Sequence, residues 1–339
     1  MKKNQYRITI LFAILFITAA ALNGCKKSSN NKTDEPLQWN IIYRKAAASV
    51  NELWSVNIYG ANDHKMNIPL PDGWKLLDKN MAELYSPRIY VLAYNSTLNQ
   101  NAIFVCYTNG TGLKQVLSTP GVEDMGLLGV LSVNTTANIL YWRHNANKEL
   151  ELWRMNLDGT NNNKFNVALP ANTYLADDQQ VATLSGQYNY VFLSTRFEDP
   201  VTHKITYPIY RCDPSGSNLL LVSIGETDSA PALQVAKYTG ILYHISNAGT
   251  SVNELWFMNI DGTGKHAIKL VLPSGTHLQD KEMAKLSDDG KTIIFLTTNV
   301  NGQAAIYTAN IDGSNVKLLK QFAVGQDIAI QYYLQLYYL

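Results

Sequence analysis

The sequence is short of cysteine, of an excess of either charge and of helix-patterned segments. Three cysteines, Cys25, Cys106 and Cys212, among 339 residues are too few for a disulfide scaffold to replace a hydrophobic core. Lys and Arg number 28 and Asp and Glu 27, so no basic surplus marks a nucleic-acid partner. No stretch after Cys25 carries the apolar period of a long helix. The apolar run "ITILFAILFITAAAL" (8–22) is shorter than the roughly 20 residues of a membrane span. A Gly-x-Ser-x-Gly nucleophile turn is absent. None of the six histidines falls in an HxH or HxxxH pair, the spacings that place two imidazoles on one metal.

What is present begins with an address. Lys2, Lys3 and Arg7 precede the apolar run, and "LNGC" follows it, ending at Cys25. This resembles a bacterial lipoprotein signal, in which cleavage before a cysteine frees it for lipidation. The resemblance implies a signal peptide over 1–24, lipid on Cys25 and membrane attachment through that lipid. Lys26 after the cysteine implies the outer membrane rather than the inner. Losing residues 1–24 leaves 25 basic and 27 acidic side chains. The polar stretch 25–36 reads as a tether, and 37–339 is long enough for one large β-domain.

That domain is a repeat. "ELWSVNIYG", "AIFVCYTNG", "ELWRMNLDG", "PIYRCDPSG", "ELWFMNIDG" and "AIYTANIDG" share an aromatic (Trp54, Phe104, Trp153, Tyr210, Trp256, Tyr307) with a glycine six positions on. Each reads as a strand running into a turn where Gly supplies a positive φ. An apolar strand precedes each copy and a short strand follows it. A second marker recurs between copies: an aspartate (Asp78, Asp124, Asp178, Asp228, Asp280, Asp327) with an apolar position three later, Pro231 in one copy. Four strands in about 50 residues, six times over, predict an all-β, six-bladed β-propeller of four-stranded antiparallel blades. We label the strands of a blade A, at the channel, to D, at the rim. The chain opens on strand B of the first blade, and "QDIAIQYYLQLYYL" (326–339) is an A-type strand left over at its end. The tail is therefore predicted to pair into the first blade and close the ring, which removes an exposed edge.

With "LSDDGKTIIFLTTNVNGQAAIYTANIDGSNVKLL" (286–319), the chain resembles the propeller repeat of the TolB C-terminal domain, related to the propellers of prolyl-oligopeptidase-type enzymes. The resemblance covers about 38–339 as fold. It implies binding of a small periplasmic or cell-wall-associated protein, although TolB has an α/β domain where this chain has a tether.

The D–A and B–C loops of a propeller open on one face, and candidate residues gather there. The six aspartates either cap their own loops by accepting backbone N–H bonds or form a carboxylate ring that holds a hard cation such as Ca²⁺. His144, His203, His244 and His277 fall on the same face. A related pectin-oligomer lyase holds its metal with histidines there, so the resemblance makes these four candidate ligands for a divalent cation such as Mn. Trp74 and Tyr174 interrupt the repeat in D–A loops and are candidate contacts for a sugar or peptide. Cys106 and Cys212 fall in non-adjacent copies, two residues after the repeat aromatic, and are expected to be free thiols packed between blades. The expected function is that of an envelope-anchored, monomeric lipoprotein that binds or scaffolds a protein or glycan partner without a cofactor. The competing expectation is a metal-dependent polysaccharide lyase or hydrolase.

Overall fold

The computed structural model describes residues 38–47, 50–78, 81–120, 125–133, 136–176, 181–185, 189–226, 232–236, 240–247, 252–279, 284–287 and 290–336. The N-terminal signal, Cys25 and the tether lie outside them. Every regular element among the described residues is a β-strand.

The strands form six antiparallel blades. The B strands sit mid-sheet, covered on both faces, and read as continuous apolar runs. Ile89–Ala93 of blade 2 is wholly buried, as are Ile293 and Phe295 of blade 6. B and C strands pair so that the repeat aromatic faces a buried apolar or aromatic residue: Tyr43 opposite Trp54, Val91 opposite Phe104, Tyr141 opposite Trp153, Tyr243 opposite Trp256.

The closing strand lies where the repeat puts it. Ile328–Leu336 pairs with Gln38–Ala47, giving the order of blade 1 as closing strand, Gln38–Ala47, Val50–Asn57, His64–Lys65. Ile328 and Ile330 are buried, in one cluster with Ile41 and Val56 of blade 1 and Phe295 and Ile306 of blade 6. Gln331, on the other face, accepts the Met81 N–H of blade 2 at 3.0 Å through its side-chain carbonyl. The last strand thus ties blade 1 to both neighbours.

The six blades are not equal, as the single period had implied. Blades 1, 3 and 5 have D strands of two residues, His64–Lys65, Asn163–Lys164 and His266–Ala267. Blades 2, 4 and 6 have D strands of seven or eight, Lys114–Pro120, Leu220–Glu226 and Lys317–Val324. The A strands of these even blades are split, as in Lys75–Leu76 with Ala82–Tyr85, both pairing the same B strand. The cause is a Leu-Pro step after each odd D strand: Leu70-Pro71, Leu169-Pro170 and Leu272-Pro273. Proline has no N–H to continue the ladder. It starts a turn instead, closed by Trp74 N–H to Pro71 O, Thr173 N–H to Pro170 O and Thr276 N–H to Pro273 O at 3.0–3.1 Å. The third turn residue is Gly73, Asn172 or Gly275, each with positive φ, as a type II turn requires. The propeller is therefore three blade pairs around a ring.

All six repeat glycines have positive φ, between 78° and 91°. They have a second role. A side chain on Gly159 would strike the Val116 carbonyl of blade 2, and one on Gly60 the Leu319 carbonyl of blade 6. Each turn packs onto the D strand of the preceding blade or the segment just after it, so the glycine sets the spacing between blades.

Candidate functional site

The candidate residues are expected on the face bearing the B–C and D–A loops. Asp327 heads the closing strand, and its carboxylate takes two hydrogen bonds from Arg44, at 2.7 and 2.8 Å. Arg44 is 8% exposed and Asp327 59%. The Asp327 carbonyl also accepts the Ala46 N–H at 3.0 Å. This aspartate binds the neighbouring B strand, a partner the sequence had not singled out. Asp78 is exposed. Asp124, Asp178, Asp228 and Asp280 lie outside the described residues.

The four histidines occupy different surroundings. His144 ends its B strand and lies edge-on to Trp142, centroids 5.5 Å apart. His203, in the B–C loop, is exposed, with Nδ1 3.4 Å from the Glu198 carboxylate. His277 is exposed on Thr276–Leu278. His244 lies inside strand Ile241–Asn247 rather than at its end, 2% exposed, with Nε2 3.0 Å from Asn253 Oδ1. Among the described residues, no three His, Cys, Asp or Glu side chains gather as a metal-holding group.

The two aromatics part company. Trp74 is half-buried and meets Phe104 edge-to-face at 5.1 Å, so it packs beneath its loop. Tyr174 is 59% exposed on a segment held by pairing to Arg196.

Each of them borders a groove between an odd blade and the next even one. The groove of blades 1 and 2 has a volume of about 280 Å³ and is lined by Glu52, Lys65, Met66, Leu70 and Trp74 among others. The groove of blades 3 and 4, about 580 Å³, is lined by Glu151, Lys164, Phe165, Leu169 and Thr173 at the corresponding positions, with Tyr174 beside Thr173. The acid is held by the same device in both. Trp54 Nε1 donates to Glu52 at 3.0 Å and Trp153 Nε1 to Glu151 at 2.9 Å. Lys65 and Lys164 bridge to the same carboxylates at 2.6 and 3.0 Å. Hydrogen bonds from Lys65 and then Trp54 hold the Glu52 carboxyl below the ordinary range. Burial pushes Glu151 up, and bonds from Lys164, Trp153 and Asn145 outweigh it and bring it down. Both acids are thus ionised acceptors at neutral pH.

Cys106 and Cys212 are free and buried. Burial pushes their thiols up to about 11 and about 12, which leaves them protonated and unreactive.

The chain is thus a six-bladed β-propeller with grooves on its loop-bearing face. No known protein-family model matches the sequence, and no curated protein matches it. Among solved structures it is similar to TolB from Acinetobacter baumannii, with 13% identity, TM-score 0.62 and 86% of this chain covered. The chain spans 65% of that TolB chain. It is similar to an oligogalacturonate lyase from Vibrio parahaemolyticus, with 11% identity, TM-score 0.53, and 77% of this chain and 72% of that one covered. A chain from a nidogen–laminin complex matches with 8% identity and TM-score 0.52, covering 86% of this chain and 99% of that one. At these identities what is shared is the fold.

Proposed function

We propose that this protein is an envelope lipoprotein, anchored through Cys25, whose propeller binds or scaffolds a protein or glycan partner without catalysis. The observation that carries this reading is the pair of open grooves on the loop-bearing face, one with the exposed Tyr174. A closed ring holds such a face rigid, which lowers the entropic cost of binding. The TolB fold similarity and the nidogen–laminin match support a propeller used for recognition. The lipoprotein signal supports the envelope, with the outer membrane as destination. A tagged intact chain used as bait in envelope extract is expected to retain a specific partner or glycan. Recovery of none across repeated extracts would remove the reading. Cys25→Ser is expected to release the protein from membranes and abolish palmitate labelling.

A second reading is a metal-dependent polysaccharide lyase. The similarity to the oligogalacturonate lyase and the exposed His203 and His277 on this face favour it. Elemental analysis of the purified protein, with a panel of polysaccharide substrates, decides between the two. Stoichiometric Mn, Zn or Ca together with chain cleavage would establish the lyase.

A further inference from the structure

Two of the three odd blades are tied to the next blade by a side-chain amide, and the third is not. In blade 1, Asn51 Nδ2 donates to the Leu76 carbonyl of blade 2 at 3.1 Å, and its Oδ1 accepts from Arg44 at 3.3 Å. In blade 5, Asn253 Nδ2 donates to the Leu278 carbonyl of blade 6 at 3.3 Å, with His244 on its Oδ1. Strand register makes Trp142 the counterpart of Arg44 and His244, since all three face the buried leucine of the C strand, Leu53, Leu152 or Leu255. Two residues before that leucine stand Asn51, Leu150 and Asn253. Leu150 has no amide, so blade 3 cannot make the staple. Trp142 Nε1, deeply buried, has no hydrogen-bond partner among the described residues. Blade 3 has exchanged the whole polar staple for two apolar side chains, and its groove has about twice the volume of the stapled one at blades 1 and 2.

The counterparts of Tyr174 in the other loops are Lys75 and His277, two residues beyond Gly73 and Gly275 as Tyr174 is beyond Asn172. Of the three, only the unstapled groove has a tyrosine at this position. We propose that the groove of blades 3 and 4 is a binding site for an uncharged oligosaccharide, with Tyr174 as its stacking platform; this rests on the binding reading above. About 580 Å³ lies within the usual ~300–1,000 Å³ of small-ligand sites. Tyr174 offers an apolar face with a hydroxyl at its edge, which suits a pyranose ring. Glu151 is fixed by three donors, and a carboxylate has further lone pairs for sugar hydroxyls. Lys148, Glu149, Glu151 and Lys164 line the groove with two charges of each sign, so the site has no net attraction for a polyanionic chain. Leu150, Leu152, Phe165 and Val167 line the wall, where a less polar sugar face or an N-acetyl methyl fits.

The test uses the intact purified chain and three probes: cellohexaose, an N-acetylglucosamine hexamer and a galacturonate hexamer. Titration calorimetry or saturation-transfer NMR is expected to show binding of a neutral hexamer and at least about tenfold weaker binding of the galacturonate. Tyr174→Ala, at an exposed position, and Leu150→Asn, which restores the staple, are each expected to weaken the neutral sugar by about tenfold or more while melting stays near wild type for Tyr174→Ala. Absence of neutral-sugar binding, equal binding by Tyr174→Ala, or preference for galacturonate overturns the proposal. If envelope extract yields a protein partner unaffected by Tyr174→Ala and neither neutral hexamer binds, the glycan site is wrong while the binding reading stands. If extract and sugars both give nothing, the binding reading itself fails.

Discussion

Gly159 shows how one atom decides a repeat position. Its φ of 91° is one that side chains rarely adopt, and an added Cβ meets the Val116 carbonyl of the preceding blade. Gly159→Ala is expected to destabilise by about 2 kcal/mol or more, because backbone strain and a backbone clash add. A denaturant midpoint measures it, and an unchanged midpoint would show that blade spacing can relax. Asp327 acts differently. It is largely exposed, while its partner Arg44 is buried. Asp327→Ala is expected to cost only about 1 kcal/mol, since the exposed partner discounts the pair. The cysteines give a third residue-level expectation. Cys106 and Cys212 are buried thiols with raised pKa. Neither should react with a thiol reagent in the native protein at pH near 7, and both should react once the chain is unfolded. Rapid native labelling at either would contradict the packing.

At the scale of elements, the closing strand carries more than its own blade. Ile328 and Ile330 share a cluster with blade 6, and Gln331 takes a backbone N–H from blade 2. Lys320 of blade 6 also bridges at 2.5 Å to Asp63 of blade 1, which accepts from Tyr43 at 2.6 Å. Removing residues 327–339 therefore exposes the inner edge of strand Gln38–Ala47 and cuts contacts on both sides. The truncated chain is expected to melt well below the full-length protein or to aggregate. A melting temperature equal to that of the full chain would mean that the ring is not closed by this strand.

The whole molecule responds to acid through many weakly placed carboxylates. Asp158, Asp261 and Asp312 each accept from the hydroxyl and backbone N–H of the residue two on, and each is held below the ordinary carboxylate range. Bonds from Lys65 to Glu52 and from Arg196 to Glu198 lower those acids as well. A carboxyl with a lowered folded pKa stabilises the fold fully above its unfolded value, about 4, and less as pH falls through the folded value. Thermal stability is therefore expected to be level near neutral pH and to fall below about pH 4. A melting temperature that held steady down to pH 3 would show that these turns contribute nothing to folding.

The repeat was legible because two markers return with one period. An aromatic six residues before a glycine, and an aspartate recurring between copies, follow from strand alternation and turn chemistry, which are local. The tail was legible for the same reason, since an A-type strand without a blade at one end matches a blade without its A strand at the other. The three-fold pairing was also in the chain. Trp54, Trp153 and Trp256 stand 99 and 103 residues apart, and Pro71, Pro170 and Pro273 show the same spacings. A search at the single-blade period averages this doubled period away. The sequence by itself determined the strands, the turns and the number of blades, because each rests on neighbours along the chain, and the closure, because the count leaves one inner strand over. Only the tertiary structure decided that Asp327 is held by Arg44, that Trp74 is packed while Tyr174 is open, and that Leu150 leaves one groove unstapled. Those outcomes depend on side chains distant along the chain meeting in space, within a blade or between two, and nothing in the local pattern encodes which partner stands opposite.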